Sequence, residues 1–194
     1  MDAHPTSEVA LRLVWAVVVG YWLWSAGKVK AAARTEPRRE RLLLCILPLL
    51  FAVLLLGPRK WFGHTWLRAQ FVSHSQLVES IGLALCLAGA VLACYARGIL
   101  GRNWSGTVQL KHDHELIESG PYRYVRHPIY SGFLLLFLGS AVMVGEWRGL
   151  LGVVIVFACF WRKLRIEESW LLQHFGARYA EYTRQTKAIV PGLL

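Results

Sequence analysis

Long apolar stretches without charged residues constrain this 194-residue chain more than any other feature. Hydrophobic residues make up 55% of the sequence and charged residues only 18%, against about a quarter charged in soluble globular proteins. A single soluble domain of this length has no core large enough to bury all of these stretches. The sequence therefore predicts an all-α integral membrane protein, folded as one membrane domain over residues 1–194. A disordered chain, a collagen and a disulfide-stapled secreted module are excluded.

Five apolar blocks are the predicted transmembrane helices. They are Val9–Gly27, Leu42–Gly57, Ile81–Ala96, Ile129–Gly145 and Gly149–Trp161. A helix needs about 20 residues to cross a hydrocarbon layer of roughly 30 Å. The second and third blocks reach that length only with flanking residues, and the fifth must continue as a helix through Arg162 towards Glu167. Only three residues separate the fourth block from the fifth, which predicts a tight helical hairpin.

Lysine and arginine are concentrated in three of the segments around these blocks. Seventeen of the 22 basic residues lie in the first connection, the third connection and the C-terminal tail. Because cytoplasmic loops carry the excess of basic residues, five spans place all three segments in the cytoplasm and the N-terminus outside. No basic residue precedes the first block, so we expect an uncleaved anchor rather than a signal peptide.

The formal net charge of +10 indicates the kind of partner. The basic residues lie between apolar blocks, which favours contact with membrane lipids and argues against nucleic acid. The four cysteines lie inside apolar blocks without a CxxC spacing, so neither disulfides nor zinc are predicted. His112 and His114 have no evident third ligand, and we predict no metal site. The oligomeric state is left open.

The first of two unusual polar segments is Leu100–Tyr130, which precedes the fourth block. It ends in the run Arg126-His127-Pro128-Ile129-Tyr130. Proline suits the first turn of a helix, where its missing N–H costs little, so His127 is expected at or near the N-cap. The unpaired N–H groups and the positive dipole end there form an anion site at the membrane surface.

The second polar segment, residues 162–168, continues the fifth block. Lys163 and Glu167 are i,i+4 neighbours on one helix face. Because the hairpin returns both polar segments to the same membrane face, a helix start that accepts anions would lie beside a carboxylate. This arrangement predicts a cradle for a zwitterion such as an amino acid group. From the residues alone, interfacial anchors and an exposed, salt-bridged helix face remain open as plainer explanations.

Two sequence runs carry a resemblance to a known family. The first is His114-x-Leu116-Ile117-x2-Gly120-x-Tyr122-x3-Arg126-His127-Pro128-x-Tyr130, and the second is Glu167-Glu168-x6-Phe175-Gly176-x2-Tyr179-x2-Tyr182. Together they resemble the isoprenylcysteine carboxyl methyltransferase family over roughly residues 100–191. The resemblance implies an integral membrane enzyme that uses S-adenosylmethionine to methylate a lipophilic acceptor in the bilayer. Residues 1–99 would then supply three N-terminal spans, and residues 100–194 the cofactor-binding catalytic half.

The resemblance also implies a cofactor site in the cytoplasm, between the loop before the fourth span and the helical extension after the fifth. The residues implied are His114, Glu115, Leu116, Ile117, Tyr122, His127, Pro128, Ile129, Tyr130 and Glu167. In our assignment Glu167 pairs with the cofactor's ammonium group, and His127 with the adjacent helix-start amides receives its carboxylate. Tyr122 and Leu116 would wall the adenosine.

One departure from the family concerns the acceptor. Four residues before the glutamate equivalent to Glu167, eukaryotic members carry an arginine that faces the substrate carboxylate, and this chain has Lys163 there, beside Arg162. Lysine supplies the charge without the bidentate fork. Lys163 and Arg162 are therefore the predicted groups that steer the acceptor, and a carboxylate is favoured while an amine or thiol stays open. An amine would need a base, for which Glu168 or His127 are the candidates.

Two alternatives of other classes are kept. Sterol reductases resemble this C-terminal region and use a nicotinamide cofactor, so an NADPH-dependent membrane reductase is the second enzymatic hypothesis. The third hypothesis is a small membrane scaffold whose pocket binds nothing. Binding of the cofactor discriminates between the three.

Overall fold

The computed structural model describes residues 5–26, 32–35, 37–104, 109–111 and 115–193. Its α-helices within these ranges are α1 (Pro5–Ala26), α2 (Arg38–Arg41), α3 (Leu47–Leu55), α4 (Gln76–Leu100), α5 (Pro128–Val144), α6 (Trp147–Phe175) and α7 (Ala177–Gln185). Turns of 3₁₀-helix are formed by Arg59–Phe62, Trp66–Arg68, Gly101–Asn103 and Gly120–Arg123. The predicted all-α fold is confirmed for every described element longer than five residues, each of which is an α-helix.

One small sheet departs from the all-α expectation. Strand β1 (Ala32–Thr35) pairs antiparallel with β2 (Gln109–Lys111). Both strands are short and lack the alternation of apolar and polar residues by which a strand is recognised in a sequence. Their pairing joins the first and third connections at the end of the bundle where α4 ends.

Within the described residues, two helical segments have the length and hydropathy of a membrane span, namely Thr6–Ala26 and Gln76–Leu100, and Pro128–Val144 is a shorter apolar helix. The third apolar block is extended by flanking residues at both ends, as its length required. The total of five spans stays a prediction.

A π-helical turn, Leu42–Ile46, joins α2 to α3. The N–H of Leu47 bonds to the carbonyl of Leu42, five residues earlier. Pro48 follows immediately and has no N–H to continue the regular ladder, which accounts for the wider turn at this point. The second apolar block is therefore helical as far as Leu55, and its helix begins before the block, at Arg38.

The fourth and fifth blocks form the hairpin that their spacing predicted. α5 ends at Val144, Gly145 adopts the left-handed conformation (φ 67°), and α6 begins at Trp147. α6 then continues well beyond the apolar block to Phe175. The connection before α4 covers this turn, because Phe71 donates to the carbonyl of Gly145 and Trp147 donates to that of Ala69.

Helices α4 and α5 approach each other through glycines. A Cβ atom on Gly132 would lie 2.7 Å from the backbone nitrogen of Ala93 and 2.7 Å from the carbonyl oxygen of Gly89. Two turns further along α5, a Cβ atom on Gly139 would lie 2.5 Å from the carbonyl oxygen of Gly82. Small residues that allow two backbones to meet are the typical means of helix association in membranes. This contact aligns the start of α5 with the end of α4.

We expect Gly132→Val to destabilise the protein, because the added methyl groups meet backbone atoms that cannot move aside. Overpacking of this kind costs about 1–3 kcal/mol, which should lower the midpoint of thermal unfolding measured in detergent. Gly20→Val on α1 is the matched control, since no atom lies within 4 Å of a Cβ there. Equal unfolding midpoints for the two variants would contradict the glycine-mediated contact.

Candidate functional site

A pocket lies where the end of α4 and the start of α5 meet the C-terminal part of α6, which continues beyond the apolar block. The predicted residues that line it are Glu115, Leu116, Ile117, Tyr122, His127, Ile129, Tyr130, Lys163 and Glu167. Pro128 is buried in the first turn of α5, with His127 at the N-cap. Arg162 is not among the lining residues, and its Nη2 lies 3.4 Å from a carboxylate oxygen of Glu40. His114 falls outside the described residues.

Glu167 is held at the pocket by residues of α5. The phenol of Tyr130 donates to Oε2 of Glu167 at 2.7 Å, and Nδ1 of His127 lies 3.7 Å from the same oxygen. A carboxylate has about four acceptor sites on its two oxygens. Glu167 therefore keeps the capacity to accept from a bound ammonium group while Tyr130 fixes its position.

The neighbouring Glu168 is used to hold the start of α5 in place. Its Oε1 accepts from Nε of Arg126 at 2.7 Å and lies 3.3 Å from Nε2 of His127. Burial favours a raised pKa for the Glu168 carboxyl, but hydrogen bonds from His127 and Arg126 and their charges outweigh burial, so its pKa lies below the ordinary value. Glu168 is thus ionised at neutral pH and bridges α6 to the N-cap of α5.

The segment after α7 fastens this helix start from its other side. Backbone N–H groups of Arg126 and His127 donate to the carbonyls of Lys187 and Ala188, at 2.8 and 2.9 Å. Nη1 of Arg126 also donates to the carbonyl of Thr186. We call residues 186–189 the C-terminal strap. These bonds fix the two residues that precede α5.

Two tyrosines of α7 complete the pocket wall. Tyr182 donates to the carbonyl of Tyr122 at 2.6 Å, and burial raises the pKa of Tyr182 to about 12, so the phenol stays protonated as a donor. Tyr179 is 2% exposed, and its hydroxyl has no hydrogen-bond partner among the described residues. Tyr179 and Tyr182 were part of the second sequence run but had no predicted role.

Sequence reasoning missed the contribution from the end of α4. Asn103 and Trp104 line the pocket, and Oδ1 of Asn103 is buried without a hydrogen-bond partner among the described residues. The guanidinium of Arg97 lies 4.3 Å from the centroid of the Trp104 ring and donates to the carbonyl of Ser25 at 2.9 Å. No spacing in the sequence indicates this contact, because it depends on where α1 ends.

Aromatic rings form the floor between the pocket and the bundle core. Tyr130 is stacked between His127 (centroids 5.3 Å apart) and Phe160 (4.8 Å). Nζ of Lys163 lies 5.3 Å from the centroid of Tyr130, within the range of a cation–π contact. Lys163 therefore borders the pocket on the side facing the apolar core.

The pocket combines groups suited to a zwitterion with apolar and aromatic walls. A carboxylate and the N-terminus of a 17-residue helix lie together. Oδ1 of Asn103 and the hydroxyl of Tyr179 are buried there without a hydrogen-bond partner in the described part of the chain, and each is able to bond to a ligand. The cavity volume is about 130 Å³, below the 300–1,000 Å³ usual for ligand pockets. The described lining side chains therefore have to move apart to admit a nucleoside-sized ligand.

Comparison with known proteins places this architecture in a family. The sequence profile described as phospholipid methyltransferase matches residues 78–178, which is more than half of the chain and includes both polar segments. This chain belongs to the phospholipid methyltransferase family. The match extends from α4 to the start of α7 and contains all of the described pocket residues except Tyr179 and Tyr182.

Individual relatives agree with the resemblance seen in the sequence runs. Protein-S-isoprenylcysteine O-methyltransferase B of Arabidopsis thaliana is 31% identical over 117 residues, covering 59% of each chain. The protein-S-isoprenylcysteine O-methyltransferase of Schizosaccharomyces pombe is 34% identical over 110 residues, covering 55% of this chain and 46% of the relative. The predicted family resemblance is confirmed. The chain spans about three fifths or less of the length of these relatives.

A solved structure supports the fold. The eukaryotic intramembrane Ras methyltransferase ICMT matches with a TM-score of 0.56 and 23% sequence identity, over 81% of this chain and 54% of that one. The likeness covers more of the chain than the sequence matches do, so it includes part of the N-terminal helices.

We expect Glu168→Gln to lower the free energy of unfolding by about 1.5–3 kcal/mol, the range for a hydrogen bond to a charged group. Because the pKa of Glu168 is depressed on folding, its stabilisation is present above the ordinary carboxyl pKa of 4.5 and is lost as pH falls through the lower folded value. The difference between wild type and variant should therefore be present at pH 5.5 and above and shrink in more acidic solution. Thermal unfolding at several pH values measures it.

Glu118→Gln is the matched control for this experiment. Glu118 pairs with Arg178 at 2.9 Å, but its side chain is 41% exposed, and such surface pairs contribute about 0–1 kcal/mol. If the Glu168 variant were no less stable than the Glu118 variant, the ion pairs from Glu168 to the start of α5 would not contribute to the free energy of unfolding.

Proposed function

We propose that this chain is an integral membrane methyltransferase that takes its methyl group from S-adenosylmethionine and delivers it to a carboxylate on a lipophilic, isoprenylcysteine-like acceptor. The observation that carries the proposal is the pairing of Glu167 with the N-terminus of α5 in one pocket. The negative carboxylate of Glu167 and the positive dipole end of α5 suit the ammonium and carboxylate groups of the cofactor's amino acid part. The names of the relatives support the same reaction class.

The residues present fit this cofactor. Glu167 would accept from its ammonium group, and the helix-start amides beside His127 would bind its carboxylate. Tyr122 and Leu116 would flank the adenosine, whose polar edges give partners to Oδ1 of Asn103 and the hydroxyl of Tyr179. When bound, the cofactor supplies an electrophilic methyl group on a sulfonium centre.

The protein's part in the reaction is to position the acceptor. A carboxylate has a reference pKa of roughly 3–4 and is ionised at neutral pH, so no general base is needed. Lys163 would hold the carboxylate by charge at the pocket's edge and leave one oxygen free to face the methyl group. Alignment of this kind contributes about 7–11 kcal/mol to lowering a barrier. Since Arg162 pairs with Glu40 outside the pocket, we assign the steering role to Lys163.

The membrane arrangement belongs to the same proposal. Five spans with the N-terminus outside put the pocket and the C-terminus in the cytoplasm, in agreement with the distribution of basic residues. The acceptor's lipid tail would stay in the bilayer while its carboxylate reaches Lys163. Membrane lipids are then the surroundings of the protein, and nucleic acid is no partner.

We expect Glu167→Gln to weaken binding of S-adenosylmethionine at least tenfold, because a neutral amide loses the charge-assisted bond to the ammonium group. Isothermal titration calorimetry of the detergent-purified protein measures the affinity. Glu181→Gln is the matched control, since Glu181 lies on α7 with its carboxylate exposed and bonds to its helix neighbours Arg184 and Gln185.

Two results would count against this assignment. Unchanged affinity and turnover in Glu167→Gln would remove Glu167 from the cofactor site. If the folded wild type bound neither S-adenosylmethionine nor its demethylated product, the proposed function would be overturned. Calorimetric titration with NADPH would then test the reductase hypothesis.

We expect Lys163→Gln to raise the KM for a prenylcysteine with a free carboxylate about tenfold, the effect of losing one charge-assisted contact, while the Kd for S-adenosylmethionine changes little. Lys163→Arg should restore most of the acceptor affinity, because it keeps the charge. Arg165→Gln removes one charge from an exposed position of the same helix and serves as control. A change in kcat alone, or an equal effect of Arg165→Gln, would argue against a steering role.

A further inference from the structure

A second, larger cavity lies at the opposite end of the bundle from the pocket. Its volume is about 750 Å³, and its walls come from the start of α1, the end of α3, the end of α5 and the turn into α6. α1 packs mainly against α4, whereas α3 packs against α6, so the space between α1 and α3 is left to this cavity. Its size is within the usual range of ligand sites.

The floor of the cavity is a buried ionic cluster. Glu146 is 1% exposed and pairs through Oε1 with Nε of Arg59 at 2.7 Å and through Oε2 with Nε of Arg148 at 2.5 Å. Nη1 of Arg148 also donates to the carbonyls of Leu55 and Gly57, both at 2.6 Å. Two guanidinium groups share one carboxylate, so the cluster carries an excess positive charge.

Two arginines at the rim can meet a ligand. The Arg59 side chain is 38% exposed, and Arg12 on α1 is 78% exposed and pairs at 3.2 Å with Glu8, which also lines the cavity. An exposed i,i+4 pair of this type contributes little and exchanges readily. The planar guanidinium group is the side chain best suited to bidentate contact with phosphate. The rim thus offers two such groups, one from each side of the cavity.

The rest of the lining is mostly apolar. Leu11 and Trp15 contribute from α1, Val53 and Leu56 from the α3 side, and Met143 from α5. Nε1 of Trp15 is satisfied by Oγ of Ser140 at 3.1 Å, so its ring is fixed as part of the wall. A chain of methylene groups would bury apolar surface along this wall, and burial is favourable by about 25 cal/mol per Å².

We propose that this second cavity binds an anionic phospholipid from the leaflet at this end of the bundle. The phosphate contacts Arg12 and Arg59, and an acyl chain fills the space between Trp15 and Val53. The lipid occupies a gap that α1 and α3 do not close by direct packing. This site is independent of the proposed methyl transfer, because it lies at the other end of the helices.

Native mass spectrometry of the detergent-purified full chain tests the proposal by titration with phosphatidylglycerol and with phosphatidylcholine. Wild type should bind phosphatidylglycerol more tightly, because the zwitterionic head group carries a cation towards the arginines. Arg12→Gln should weaken binding of phosphatidylglycerol about tenfold, and since that side chain is largely exposed, the variant tests the site without depending on folding. Arg39→Gln removes an equal charge from an exposed position of α2, at the other end of the bundle, and should leave the affinity unchanged.

A second variant tests the place of the acyl chain. Val53→Trp fills the cavity from α3 and should weaken binding of both lipids, whereas Val17→Trp, at an exposed position of α1 outside the lining, should not. Equal affinity of wild type for the two lipids, or equal behaviour of Arg12→Gln and Arg39→Gln, would overturn the anionic phospholipid site. If the two tryptophan variants bound the lipids with equal affinity, the acyl chain would not lie in the cavity.

Discussion

The short connection between α5 and α6 is the constraint on which the pocket depends. From this turn, 17 residues of α5 lead back to Pro128, and an equal length of α6 reaches Lys163. At 1.5 Å per residue both paths measure about 26 Å, so the N-cap of α5 and the Lys163–Glu167 face stand at the same height. The opposite charges of the pocket are thus adjacent because two helices of fixed rise share one turn.

Glu167 and Glu168 show how one helix serves two purposes at neighbouring positions. Successive residues on a helix point about 100° apart. One carboxylate faces the pocket and accepts from Tyr130, while the next binds Arg126 and His127 and fastens the start of α5. The C-terminal strap adds backbone bonds to the same two residues. The start of α5 is consequently held by α6 and by the C-terminal strap together.

Much of this arrangement followed from the sequence where the signal was local. Proline at the start of an apolar block predicted the helix start, and the i,i+4 spacing of Lys163 and Glu167 predicted a shared face. Contacts between distant segments carried no such signal, so the buried oxygen of Asn103 and the support of Trp104 by Arg97 were missed. Arg162 was placed beside Lys163 by adjacency in the chain, yet the helix turns it towards Glu40. Tyr179 and Tyr182 lay within a run that carried the resemblance, but neither was predicted to line the pocket.

The left-handed glycine at the hairpin turn has a consequence for how such a chain can vary. With the turn closed at Gly145, one residue added within α6 ahead of Lys163 would rotate the Lys163–Glu167 face by about 100° relative to α5 and shift it by 1.5 Å. Glu167 would then leave the pocket, and the charge of Glu168 would turn away from Arg126. The connection between α3 and α4 is bonded to the turn itself through Ala69 and Phe71, and an insertion in the turn would lose those bonds as well. Chains of this kind that differ in length should therefore keep the residue count of the hairpin.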